Sequence, residues 1–249
     1  MTTFKDHFSG HSPEYRKYRP DYPDQLYEFL SDLSQEHVKA WDAGTGNGQC
    51  AIKLARHFNQ VLATDPSANQ IKAAVPHDRV TYHVSRAESC PATDQSFDLV
   101  AVAQALHWFD FPLFFSEVKR VLKPKGILAI WTYTLANISP EVDAVTEEFY
   151  TEIVGKYWPP ERRYVEAKYQ NVPIPFVEEI VVPQFRITLN YDMNDYLAYL
   201  RTWSAVKNYI KDHRTDPVGI IQQKMEAAWG TIEKKKEVTW PVYLRVGYM

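Results

Sequence analysis

Asp42, Gly44, Gly46 and Gly48 alternate with small polar residues in the stretch WDAGTGNGQC, and Asp65 follows seventeen positions after Gly48. Three of the nine glycines in the chain fall in this one stretch. Glycine tolerates positive φ and has no side chain, so alternate glycines let backbone come close to a ligand. An acid two residues ahead of the first glycine sits poorly beside a pyrophosphate and suits an ammonium group. An acid at Asp65 can accept hydrogen bonds from both hydroxyls of a ribose. The chemistry is that of gripping a ligand with a positive charge and a ribose.

The elements around these residues place them. Apolar runs over 38–44, 60–65, 79–85, 96–106 and 127–134 read as strands, and helical patterns lie between them. The fourth run is almost continuously apolar, as a strand buried on both faces should be. Strand–helix alternation at this spacing implies a parallel sheet with right-handed crossovers. The glycine loop then joins the first strand to its helix, at the carboxyl end of the sheet, where open α/β sheets bind ligands. The helix over 111–126 is closed by Pro124 and Gly126. Two longer strands are predicted over 178–190 and 238–249, pairing antiparallel at one sheet edge, with an aromatic helical segment over 194–212 between them.

A nicotinamide site normally reads G-x-G-x-x-G, and here Gln49 occupies the place of the last glycine. S-adenosyl-L-methionine carries an ammonium, a carboxylate and a ribose, and no phosphate. It is the expected cofactor.

Composition narrows the classes. The chain has 249 residues, 45% apolar and 24% charged, with a net charge of −3. That is a globular composition, and its acidity argues against a general nucleic-acid binder. Cys50 and Cys90 are the only cysteines, which points to a reducing compartment rather than a disulfide framework. The N-terminal MTTFKDHFSG lacks the apolar core of a signal peptide, and no apolar stretch is long enough to span a membrane. A cytoplasmic protein is the expectation; the oligomeric state stays open.

The segments WDAGTGNGQ, LATDPSANQI, SRAESCP, FDLVAVAQALHWFD and EVKRVLKPKGILAIW, in this order and spacing over roughly 38–132, resemble the class I S-adenosylmethionine-dependent methyltransferases. HFSGHSPEYRKYRPDYP, QALHWFD and YLRTWSAVKNY are similar to a narrower group, the methyltransferase type 11 or trans-aconitate methyltransferase-like proteins. The resemblance implies a Rossmann-like three-layer α/β sandwich. Its sheet has seven strands, mostly parallel with an antiparallel edge, and there is a helical N-terminal lid and a late helical insertion. The chain is then one domain: a lid over 1–35, a cofactor core over 36–135, and substrate-side helices with the last two strands over 136–249.

By the same resemblance Gly44, Thr45 and Gly46 approach the methionine moiety with Asp42 nearby, and Arg19 holds its carboxylate. Asp65 takes the ribose, Pro66 and Ser67 the adenine. Arg86 departs from the family's usual acid, which leaves the Ala87 backbone and Glu88 to meet the adenine. Ala103, Gln104 and Ala105 lie beside the sulfonium. His107 is the candidate general base. Tyr15, Tyr18, Trp108, Trp131, Tyr133 and Trp203 are the candidate substrate contacts, and no residue is assigned to a metal. The implied reaction is methyl transfer to a small-molecule acceptor, with a carboxylate or hydroxyl oxygen as candidates. Two other readings stay open: a nicotinamide-dependent oxidoreductase, and a non-catalytic protein that binds S-adenosylmethionine and regulates a partner.

Overall fold

The computed structural model describes residues 18–249, so Tyr15 and the first seventeen residues of the expected lid lie outside the described residues. Helix α1 (Asp24–Leu33) precedes β1 (Lys39–Ala43), and the glycine loop leads from β1 into α2 (Gln49–Leu54). There follow β2 (Gln60–Asp65), α3 (Ala68–Lys72), β3 (Val80–Val84), β4 (Phe97–Ala103), α4 (Phe111–Val121) and β5 (Leu122–Tyr133). The second half runs through α5 (Pro140–Glu148), a π-helical turn at Phe149–Ile153, α6 (Arg162–Glu166), β6 (Glu178–Glu179) and β7 (Phe185–Tyr191). It ends with α7 (Met193–Arg201), α8 (Ser204–His213), α9 (Val218–Trp229) and β8 (Lys236–Tyr248).

The sheet order is β3-β2-β1-β4-β5-β8-β6, with β7 also paired to β8. Strands β1 to β5 are parallel, and β8 runs antiparallel to β5. Side chains alternate between the two faces, as a pleated strand requires. Ala40, Leu99, Ala101, Ile127 and Ala129 join the core under α1, α2 and the late helices. Trp41, Val100, Val102, Leu128 and Ile130 join a second core under α4. Each fully buried large side chain of this kind stabilises the fold by about 1.5–3 kcal/mol. The three-layer α/β sandwich expected from the sequence is present.

Three local expectations change. The run over 178–190 is not one strand. Pro183 has no N–H to give the ladder, and β6 and β7 pair separately with β8, at Tyr248–Gly247 and at Val242–Lys236. Eight strands thus fill seven sheet positions. Helix α4 ends at Val121 rather than near Gly126, because the residue before Pro124 is steered out of the α region. The four residues 123–126 bulge out where Phe97 pairs with Leu122 and Leu99 with Ile127. The aromatic segment over 194–212 is broken at Trp203, whose backbone is extended (φ −66°, ψ 138°). The Thr202 hydroxyl caps the end of α7 by donating to the Tyr199 carbonyl at 2.6 Å.

Candidate functional site

A cavity of about 250 Å³ opens at the carboxyl ends of β1, β2, β4 and β5. The glycine loop forms its floor. All three glycines have positive φ, at +74°, +55° and +88°, and each is required for a different reason. A Cβ on Gly44 would stand 2.7 Å from Ala105 Cβ and 3.0 Å from the Phe109 ring. A Cβ on Gly48 would run into the Tyr82 ring. A Cβ on Gly46 would meet nothing within 4 Å, because Gly46 faces the cavity itself.

Two acids flank this loop. Asp65 is oriented by backbone: Gly46 N–H donates to Oδ2 at 3.0 Å and Ser67 N–H to Oδ1 at 2.8 Å. Asp42 is fully buried, and its Oδ2 accepts from the Thr45 hydroxyl at 2.6 Å. Its Oδ1 is buried with no hydrogen-bond partner among the described residues. Burial outweighs the Thr45 bond and pushes its carboxyl up to about 6. An acid in this state answers to a ligand ammonium, which would complete its hydrogen bonds and favour its charge.

The strand ends supply the walls. Gln104 has φ +55° and folds its side chain onto the end of β5. Its Oε1 accepts from Tyr133 N–H at 3.0 Å and from the Thr132 hydroxyl. Ala87 and Glu88 line the cavity after β3. Glu88 Oε1 accepts from Asp110 N–H at 2.8 Å, so this acid also ties the third crossover to the start of α4. His107 is buried, and its Nδ1 sits 2.8 Å from the Tyr169 hydroxyl. Burial, with the charge of Arg162 nearby, pushes its pKa down to about 3, so the ring is neutral across the physiological range.

Of the residues singled out in the sequence, Arg19, Asp42, Gly44, Thr45, Gly46, Asp65, Pro66, Ala87, Glu88, Ala103, Gln104, Ala105, His107, Trp108, Tyr133 and Trp203 line this one cavity. Three others do not. Ser67 is buried as the N-cap of α3, accepting from Gln70 N–H. Trp131 is fully buried one strand step below Tyr133, edge-on to Tyr22 and Tyr27 at 5.6 and 6.2 Å. Tyr18 offers its carbonyl to the Tyr191 hydroxyl at 2.9 Å. From the same N-terminal segment, Arg19 Nη1 donates to the Tyr133 hydroxyl at 2.7 Å, and Tyr22 lines the cavity.

The sequence reading missed two cations. Arg162 at the start of α6 and Lys207 on α8 both line the cavity. Burial and the charge of Arg19 push the Lys207 ammonium down to about 8. No spacing rule points to either residue; they arrive from elements 75 or more residues beyond Ala87, through the packing of the late helices.

A parallel sheet of this order, with a glycine loop after β1 and an acid closing β2, defines a Rossmann-like cofactor-binding enzyme. The family described as "Methyltransferase domain" matches residues 41–130. A candidate methyltransferase of Dictyostelium discoideum is 36% identical, over 98% of this chain and 95% of that protein. A methyltransferase of Aspergillus terreus is 25% identical over 98% of this chain and 93% of its own. A solved structure of a candidate type II methyltransferase from Anaeromyxobacter dehalogenans superposes with a TM-score of 0.86. It is 40% identical and covers 92% of this chain and 97% of the other. The chain belongs to the class I S-adenosylmethionine-dependent methyltransferases, and S-adenosylmethionine is its cofactor. No helix among the described residues is long and apolar enough to cross a membrane.

Proposed function

We propose that the enzyme methylates a carboxylate oxygen of a small organic acid. The observation that carries this reading is the division of charge around the cavity. Every acid lining it, Asp42, Asp65 and Glu88, comes from the first three strand ends. The half built by the late helices presents Arg162 and Lys207 alongside Trp158, Tyr199 and Trp203, with no acid among the described residues there. A cationic, aromatic-walled recess suits an apolar anion.

The residues present fit the cofactor. Asp42 takes the ammonium, Arg19 the carboxylate and Asp65 the ribose hydroxyls. Gly44, Thr45 and Gly46 admit the methionine chain, and Pro66, the Ala87 backbone and Glu88 border the adenine. Ala103, Gln104 and Ala105 flank the sulfonium. Bound there, S-adenosylmethionine supplies an electrophilic methyl whose sulfur leaves as a neutral thioether. The chain's part is to align, to exclude water and to hold the acceptor's charge. A carboxylate is ionised at neutral pH and needs no base. This agrees with a His107 pushed down to about 3: so weakly basic an imidazole takes up a proton poorly near pH 7, and a hydrogen-bonding role suits it better than that of general base. Trp108 and Tyr133 border the acceptor. The described residues just before α1 border the cavity, since Arg19, Pro20 and Tyr22 line it. Free, buried Cys50 and Cys90 accord with a cytoplasmic protein.

Methyl transfer from labelled cofactor to aryl and alkenyl carboxylic acids, phenols and amines of matched framework tests the reading. Acids are expected to be labelled as base-labile esters. Label confined to phenols or amines would sink it.

Cofactor affinity is also expected to depend on pH through Asp42. Its carboxyl titrates near 6 in the unliganded site, and the ammonium binds the anion. Affinity is therefore full above pH 6 and is lost as pH falls below it, by roughly tenfold per unit. Calorimetry with S-adenosylhomocysteine at pH 7.5 and pH 5 should show about a tenfold loss, and Asp42→Asn should flatten the profile. A flat profile in the unaltered protein would place the ammonium elsewhere.

A further inference from the structure

Arg162 is held by two neighbours that leave its charge turned over to the cavity. Its Nε donates to the Tyr150 hydroxyl at 2.9 Å. Its guanidinium carbon lies 4.6 Å from the Trp158 ring centroid and 5.4 Å from that of Tyr150. Tyr150 belongs to the π-helical turn at Phe149–Ile153, a rare geometry found disproportionately at functional sites. Its own proton goes to Glu166, so the one carboxylate of this network is engaged by the phenol and not by the arginine. The two terminal nitrogens of Arg162 have no hydrogen-bond or carboxylate partner among the described residues. The Trp158 indole donates to the Tyr150 carbonyl at 3.3 Å, and its ring packs on Trp203 at 5.5 Å, which keeps the cradle together.

A partly buried cation with no counter-ion costs stability unless a ligand supplies the charge. A guanidinium stacked on one face and pinned at Nε presents its remaining N–H groups as a planar fork, the shape that matches a carboxylate. Lysine has neither the fork nor the flat face.

We propose that Arg162 selects the acceptor by gripping its carboxylate on the two terminal nitrogens, and that Tyr150 is the positioning residue that aims this fork. The proposal rests on the reading of the acceptor as an organic acid. Burial holds the Tyr150 phenol up at about 12, so it stays protonated and keeps its bond to Glu166 throughout the working range of pH.

The test is binding of benzoate- and cinnamate-class acids, and of the matching neutral amides, to the complex of the full chain with S-adenosylhomocysteine. Tryptophan fluorescence reports binding. Acids are expected to bind and amides to bind far more weakly. Arg162→Gln should weaken the acids roughly ten- to a hundredfold while leaving S-adenosylhomocysteine affinity and the melting temperature unchanged. R162K should recover little of the loss. Tyr150→Phe should weaken the acids about three- to tenfold, and that effect should vanish in the Arg162→Gln background, because Tyr150 acts through Arg162. Acids bound by R162Q as tightly as by the unaltered protein, full recovery in R162K, or amides bound as tightly as acids, would overturn the assignment of Arg162. An undiminished Tyr150→Phe effect in the Arg162→Gln background would overturn the role of Tyr150. A hydroxybenzoate methylated on its phenol oxygen, with binding still dependent on Arg162, would overturn the carboxylate-transfer reading and sustain this one.

Discussion

Gly46→Val is expected to leave a folded protein that no longer binds S-adenosylhomocysteine. The substitution keeps the backbone N–H that donates to Asp65 Oδ2, so the loop retains its tie to β2. The Cβ it adds has no protein atom within 4 Å. Its cost to the fold is the left-handed backbone at φ +55°, roughly 1–2 kcal/mol, and a few degrees of melting temperature for a chain of this size. Its cost to the ligand is expected to be far larger, because the isopropyl group stands in the cavity where we propose the methionine chain lies. Affinity should fall by at least about a hundredfold, on the order of 2.7 kcal/mol. Calorimetry beside a melting curve separates the two effects. A variant that binds the ligand normally would show that the cofactor does not pass over Gly46.

Asp65→Ala is expected to cost roughly ten- to a hundredfold in affinity. Two losses combine. The carboxylate proposed to meet the ribose hydroxyls is gone, and the N–H groups of Gly46 and Ser67 lose the acceptor that shapes the loop. Asp65→Asn keeps one acceptor oxygen and should fall between the parent and the alanine variant. An alanine variant with unchanged affinity for S-adenosylhomocysteine and an intact melting curve would place the ribose elsewhere.

These two residues show what was legible in the chain itself. The alternating glycines and the acids at 42 and 65 are local features: positive φ and a tight turn are demanded within a few residues, and the demand is written where it is met. The parallel strands are legible for the same reason, since a strand buried on both faces must be apolar along its length. Fourteen of the sixteen singled-out residues that line the cavity, all but Arg19 and Trp203, stand at or shortly after strand ends, and a parallel sheet gathers those ends on one side.

The acceptor half was decided by tertiary structure. Trp131 and Tyr133 point to the same sheet face, yet the first is sealed beneath Tyr22 and Tyr27 while the second reaches the cavity. Strand period assigns a face but not a depth. Trp203 reaches the cavity because the helical pattern breaks at it, through an extended backbone that periodicity does not reveal. Arg162 and Lys207 are ordinary cations in the sequence; only the packing of α6 and α8 turns them inward. The expectation of His107 as a base rests on a residue type that titrates near neutrality. Its neutrality is set by burial and by Arg162, which stands fifty-five residues away in the chain. The sequence by itself determined the class of ligand and the sheet that holds it, because those constraints act over a few residues. Which charges face the acceptor depends on contacts between distant segments, and only the folded packing could decide that.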